Sequence, residues 1–178
     1  MIPKVCLAPL GVLDQAILGW VMQLLAKQMQ YRSWMHQGLR DLDMSSAFNR
    51  ERQQYDSKCL LVEIVERIPD DGSKIVGITG VDLYVPILTF VFGQAQLGGR
   101  AAIVSIHRLR QEYYHLPRND DLLKERVQKE VLHELGHTFG LTHCPDTMCV
   151  MHFSNSVREI DHKVLGYCSA CSGDMCFD

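Results

Sequence analysis

The sequence predicts an α/β or α+β domain in which helices cover a sheet layer. Three observations carry this. Short β-branched, apolar runs alternate along the chain with stretches of helical periodicity. The 178 residues suffice for one domain with a real core and are too few for two ordinary ones. Two strand-like runs flank Gly98 and Gly99, which implies a pair joined by a glycine-containing turn and hence an antiparallel element.

Taken in order, Val5 to Leu10 reads as a first strand, ended by Pro9 and Gly11. Asp14 is placed to cap a helix over Ile17 to Gln30. Tyr31 to His36 reads as a second strand. Arg50 to Arg67 reads as a second helix, because Leu60, Leu61, Ile64, Val65 and Ile68 return at helical spacing. The part from Cys59 to Ile68 is also compatible with a strand. Lys74 to Val81, Thr89 to Gly93 and Ala101 to Leu109 are predicted strands. Asp120 and Asp121 open the clearest helix, which runs to about Phe139 and stops at Gly140. A short helix near Ser156 to Leu165 follows within a cysteine-rich tail. One domain is expected over residues 1–178, with 1–140 as its upper part and 141–178 as its lower part.

Bulk composition narrows function only by exclusion. Hydrophobic residues make up 47% and charged residues 22%, and the net charge is −3. That balance offers no general attraction to nucleic acid or to anionic membranes. No window approaches 18 uninterrupted apolar residues, so no spanning helix is expected. Met1 to Ala26 is broken by Pro3, Pro9, Gly11 and Asp14 and lacks a leader pattern, which makes the cytoplasm the default location. Oligomeric state is not legible.

The chemistry is concentrated in one helix. His133 and His137 are four residues apart, so both imidazoles lie on one helical face and can meet one ion. Glu134 is rotated by about 100° from His133, within reach of a water on that ion without being a ligand. Leu135 and Phe139 are expected to face the core, and Gly136 to keep the site small. Gly140 supplies the positive φ that a sharp helix stop requires. His143, three residues later, can then add a third nitrogen. Three neutral histidines leave one tetrahedral position for water, the arrangement of catalytic rather than structural zinc. Such zinc lowers the pKa of its water to about 7. A lone His-Glu-x-x-His arises by chance in exposed helices; the full pattern with Gly140 and His143 is expected on the order of once in a hundred thousand chains.

Seven cysteines are present, and five of them, Cys144, Cys149, Cys168, Cys171 and Cys176, crowd the C-terminal segment. Cys6 and Cys59 stand alone in apolar surroundings. The gap between Cys168 and Cys171 lets both thiolates grip one metal, and Cys144 with Cys149 completes a four-sulfur site. Free thiols or a disulfide are the other reading, and an iron–sulfur cluster also accepts four cysteines. Cys144 directly follows His143, so closing this site would pin the third histidine. Cys176 is a spare. His107, His115, His152 and His162 are expected at surface or turn positions rather than as ligands.

His133-Glu134-x-x-His137-x-x-Gly140-x-x-His143 with the later Met151 is similar to the metzincin signature. Its continuation, Cys144-x4-Cys149-x-Met151 and then Cys168-x-x-Cys171, resembles the archaemetzincin branch. The likeness extends upstream to Val81-Asp82-Leu83-Tyr84-Val85-Pro86, Phe90-Val91-Phe92-Gly93 and Arg108-Leu109-Arg110. It implies a twisted mixed sheet with an antiparallel edge strand above the active-site helix, and a small zinc-stapled C-terminal subdomain. It implies two zinc ions per chain, one catalytic and one structural. Met151 would occupy the tight turn that packs under the zinc-binding histidines. Some metzincins carry a tyrosine two residues after that methionine; Phe153 stands there in this chain, so no phenol is available.

The expected activity is peptide-bond hydrolysis, with Glu134 as general base and a peptide held along an edge strand near Phe90 to Leu97. The same segment also reads as an ordinary edge strand, and endopeptidase and aminopeptidase action are both open. The alternative is a catalytically silent zinc protein that binds a peptide or protein partner, against which the intact Glu134 speaks. A nucleic-acid-binding zinc module ranks last, since Arg158 and Lys163 are the only Lys or Arg residues from Cys144 to Asp178.

Overall fold

The computed structural model describes residues 2–175. Its elements run β1 (Lys4–Leu10), α1 (Gln15–Gln23), β2 (Arg32–Met35), β3 (Phe48–Asn49), β4 (Gln54–Asp56), α2 (Ser57–Arg67), β5 (Lys74–Thr79), β6 (Leu83–Tyr84), β7 (Gly93–Ala95), β8 (Ala101–Ser105), α3 (Asp120–Thr138), α4 (Val157–His162) and α5 (Ser169–Asp174). The main sheet has the order β2-β1-β5-β8-β7, parallel throughout except for β7. A small second sheet has the order β3-β4-β6. The mixed α/β class read from the sequence is the one the chain adopts.

Strand alternation explains the layers. Val5 and Leu7 of β1 point to a core shared with Ile17, Leu18 and Val21 of α1 and Val127, Val131 and Leu135 of α3. Cys6, Ala8 and Leu10 point the other way, onto Leu60, Leu61 and Ile64 of α2. Both faces are therefore covered, as parallel strands require. Pro9 is tolerated inside β1 because β2 pairs only with Lys4 to Leu7. A third cluster, with Leu132, Cys149, Val150, Met151 and Cys171, lies under the end of α3.

Several expectations need correction. The second helix begins at Ser57, not Arg50, because Asp56 caps it by accepting from the Lys58 N–H at 2.9 Å. Gln54–Asp56 before it pairs in parallel with Leu83–Tyr84, a non-local contact without a local signal. From Ser57 to Arg67 the helical reading holds over the strand reading. The first helix starts at Gln15 and extends as a wider π turn over Leu24–Gln28. The strand expected at Thr89 to Gly93 is shifted: β7 opens at Gly93, and Val91 makes only an isolated bridge to Leu83. Its antiparallel pairing with β8 holds, with Gly93 opposite Val104. β5 and β8 end earlier than expected, at Thr79 and Ser105. The short helix α5 was not foreseen. Cys59 is exposed rather than enclosed, and Cys176 lies outside the described residues. Among the described residues, no helix is long and apolar enough to cross a membrane.

Candidate active site and metal centre

The site is built on α3. Asn119 caps it by accepting from the Leu122 N–H at 3.0 Å, and Asp120 and Asp121 place negative charge at its positive end. Leu123, Val127, Val131 and Leu135 recur every four residues and bury one stripe in the core. Glu130, His133, Glu134 and His137 line a cleft of about 650 Å³ on another face. The opposite wall is the segment Thr89 to Ala95, ending in β7 at the sheet edge.

His133 and His137 approach with their Nε2 atoms 3.2 Å apart. Each ring is turned by its other nitrogen: His133 Nδ1 pairs with the Val150 carbonyl at 2.8 Å and His137 Nδ1 with the Leu141 carbonyl at 2.7 Å. A carbonyl only accepts, so each Nδ1 carries the proton and each Nε2 keeps its lone pair for a cation. Gly140 turns the chain at φ +90°, bringing the His143 ring to centroid distances of 5.4 Å from His133 and 5.0 Å from His137. Ligand atoms of the three histidines lie within 4.8 Å of one another. Tetrahedral zinc–nitrogen bonds of about 2.0–2.1 Å set ligands about 3.3 Å apart, so the donor set fits such an ion. Burial lowers the pKa of all three imidazoles, which favours the neutral form a metal needs.

Glu134 is buried beside them. Burial pushes its carboxyl well above the usual carboxylate range, and the neighbouring Glu130 adds to the rise. A divalent cation at the histidines would oppose this by favouring the charged form. Sequence reasoning left Gly93 unassigned, yet a Cβ there would sit 2.6 Å from the Glu134 Cγ. Its missing side chain lets the edge strand approach the carboxylate.

Met151 is fully buried under the helix, where a Cβ on Gly136 would collide with its Sδ. Gly136→Ala is therefore expected to cost about 1–3 kcal/mol by overpacking. Thermal unfolding checks this, and an unchanged midpoint would show that Met151 yields freely. Phe153 packs on His143 with ring centroids 5.0 Å apart.

The four cysteines converge below. Cys144 and Cys168 have their Sγ atoms 3.8 Å apart, as do Cys149 and Cys171, and all four lie within 4.8 Å. A tetrahedron of metal–sulfur bonds of about 2.3 Å has edges of about 3.8 Å, so this set also fits a closed site. The backbone N–H of Cys171 draws the Cys168 thiol down to about 7, while burial pushes Cys171 up. The Cys144 N–H donates to the Met151 carbonyl at 3.0 Å, and His152 Nδ1 donates to the Cys144 carbonyl at 2.8 Å. The cysteine cluster is thus tied to the methionine turn and to His143. His107, His115 and His162 lie outside both clusters.

Glu130 and Lys163 were not singled out as cleft residues. Both are 3% exposed and both line the cleft. Burial raises the Glu130 carboxyl to about 7, with Lys163 opposing the rise. Glu130 could have been found from its place one turn before Glu134; Lys163 comes from a distant segment without such a signal.

A mixed sheet whose antiparallel edge faces a helix with two histidines and a buried glutamate, completed by a third histidine beyond the helix's closing turn, is the arrangement expected of a metzincin-type peptidase site. A family model described as peptidase family M54 matches residues 22–176. The archaemetzincin of Methanocaldococcus jannaschii is 40% identical over 172 residues, covering 96% of this chain and 92% of its own. A crystal structure of the Archaeoglobus fulgidus archaemetzincin complexed with malonate aligns with a TM-score of 0.83 and 34% identity, covering 97% and 99% of the two chains. The structure of a zinc-dependent peptidase from Methanocorpusculum labreanum gives a TM-score of 0.85 at 29% identity, covering 96% and 98%. The chain belongs to peptidase family M54, the archaemetzincins, and is a zinc metallopeptidase.

Proposed function

We propose that the protein hydrolyses peptide bonds at the three-histidine site, with Glu134 as general base. His133, His137 and His143 hold the catalytic zinc; Cys144, Cys149, Cys168 and Cys171 hold a second, structural one. The observation that carries this is the convergence of three imidazoles, those of His133 and His137 anchored through Nδ1, beside a buried carboxylate in an open cleft.

Zinc bound there supplies Lewis acidity, polarising the scissile carbonyl and easing deprotonation of the attacking water. The substrate lies extended along β7, whose outer edge is free of β8 and borders the cleft. Main-chain hydrogen bonds to that edge hold the scissile bond over the histidines. Glu134 accepts the proton of the water as it attacks and passes it to the leaving amine. The water-poor surroundings of Glu134 strengthen its electrostatic effect on both transfers. Phe153 has no hydroxyl, so the transition state receives no phenolic hydrogen bond from that position. Met151 supports the histidines by packing under Gly136, and the cysteine cluster fixes the segment from His143 to Met151.

The test is metal analysis followed by digestion of a broad peptide library. Two zinc ions per chain are expected, with cleavage lost on chelation and restored by zinc. Two ions without cleavage of any peptide would replace this reading with that of a silent binder.

A further inference from the structure

The floor of the cleft holds polar groups that hydrolysis itself does not use. Glu130 is 3% exposed, shares a helix face with Glu134, and its Oε1 is buried without a hydrogen-bond partner. Ser154, in the segment just after Met151, has a buried Oγ that is likewise unpartnered. Lys163 is also 3% exposed and donates to the Val150 carbonyl at 3.2 Å, one bond for a group with three donors. All three side chains line the same cleft as the histidines. Glu130 and Lys163 feel each other's charge, yet Glu130 Oε1 remains without a hydrogen bond. Buried polar atoms are almost always satisfied, so an orphan acceptor, an orphan hydroxyl and a part-used ammonium on side chains that line one cavity point to a ligand that completes them.

We infer that Glu130, Ser154 and Lys163 form a specificity subsite for a carboxamide side chain, glutamine or asparagine, of the bound peptide. A carboxamide presents an N–H donor and a carbonyl acceptor on one planar group. Its NH2 donates to Glu130 Oε1 while its carbonyl accepts from Lys163, with the Ser154 hydroxyl free to serve either end. A leucine leaves the acceptor and the ammonium unsatisfied. A lysine or arginine meets the Lys163 ammonium, and a glutamate meets the Glu130 and Glu134 carboxylates. Sites built to hydrogen-bond a polar substrate group reject analogues that lack it more strongly than apolar pockets reject a missing methylene. The inference rests on the peptide-cleft reading and goes beyond it by naming a side-chain class.

The test uses the full, zinc-loaded chain and phosphinic peptides, in which the scissile amide is replaced by a group that is not hydrolysed. Each residue flanking the phosphinate is varied in turn among glutamine, asparagine, leucine, glutamate and lysine, and affinities are measured by calorimetry. At one of the two positions a carboxamide is expected to bind about tenfold tighter than leucine, glutamate or lysine. In Glu130→Met and in Lys163→Met that advantage over leucine falls to less than about threefold. If leucine, glutamate or lysine binds best in the unaltered protein, or if none of the peptides binds, the subsite is wrong. An advantage unchanged in both variants also overturns it, and if either variant fails to fold the order in the unaltered protein decides. Because binding is read without turnover, absence of peptidase activity would leave this result standing, and a peptidase with an apolar preference would sink the subsite alone.

Discussion

Glu134→Gln is expected to lower kcat by about a thousandfold while both zinc ions stay bound and KM changes little. The substitution keeps the shape of the side chain and removes only its ability to accept and release a proton. Glu134 is not one of the three converging donors, so an ion held by them would not depend on it. Its packing is preserved, because Gly93 makes room for an amide as well as for a carboxylate. The effect should therefore fall on the chemical step and not on binding. Steady-state kinetics on the purified variant, with zinc counted in the same sample, checks both halves. Turnover at the parent rate would remove Glu134 from the mechanism; loss of zinc would make it part of the coordination instead.

Cys168→Ser with Cys171→Ser is expected to reduce the metal content from two ions to one and to unfold the lower part of the molecule. Structural zinc contributes roughly 10–16 kcal/mol in small zinc-folded peptides near neutral pH. Whole domains are stable by only about 5–15 kcal/mol. Even a fraction of the metal's contribution is thus comparable with the entire stability. Activity should fall with it, because Cys144 adjoins His143 and its N–H holds the Met151 carbonyl at 3.0 Å. Thermal unfolding and zinc counting read this together. A doubly substituted chain with two zincs and an unshifted midpoint would show that the cluster binds no metal.

How much was legible in the sequence depended on the distance over which each feature is specified. The convergence of His133, His137 and His143 follows from helical spacing and one glycine turn, all within eleven residues, and the structure brings these rings together. The cysteine pairs carry their own spacing signal, although they come from separate segments. β7 was misplaced by a few residues because Thr89 to Phe92 have strand composition but meet only a single bridge, at Val91. The start of α2 was missed because Gln54–Asp56 is claimed by a partner strand nearly thirty residues away. Gly93 and Lys163 matter through tertiary contact alone. Gly93 touches Glu134 across the cleft, and Lys163 shares the Val150 carbonyl with His133. Neither relation leaves a trace in local sequence.

The most direct measurement is an anomalous-scattering map at the zinc edge from crystals grown without chelators. The account requires a peak at bonding distance from the Nε2 atoms of His133 and His137 and from a ring nitrogen of His143, with no further protein atom in its coordination shell. An empty triad, or a peak closed off by a fourth side chain, would contradict it.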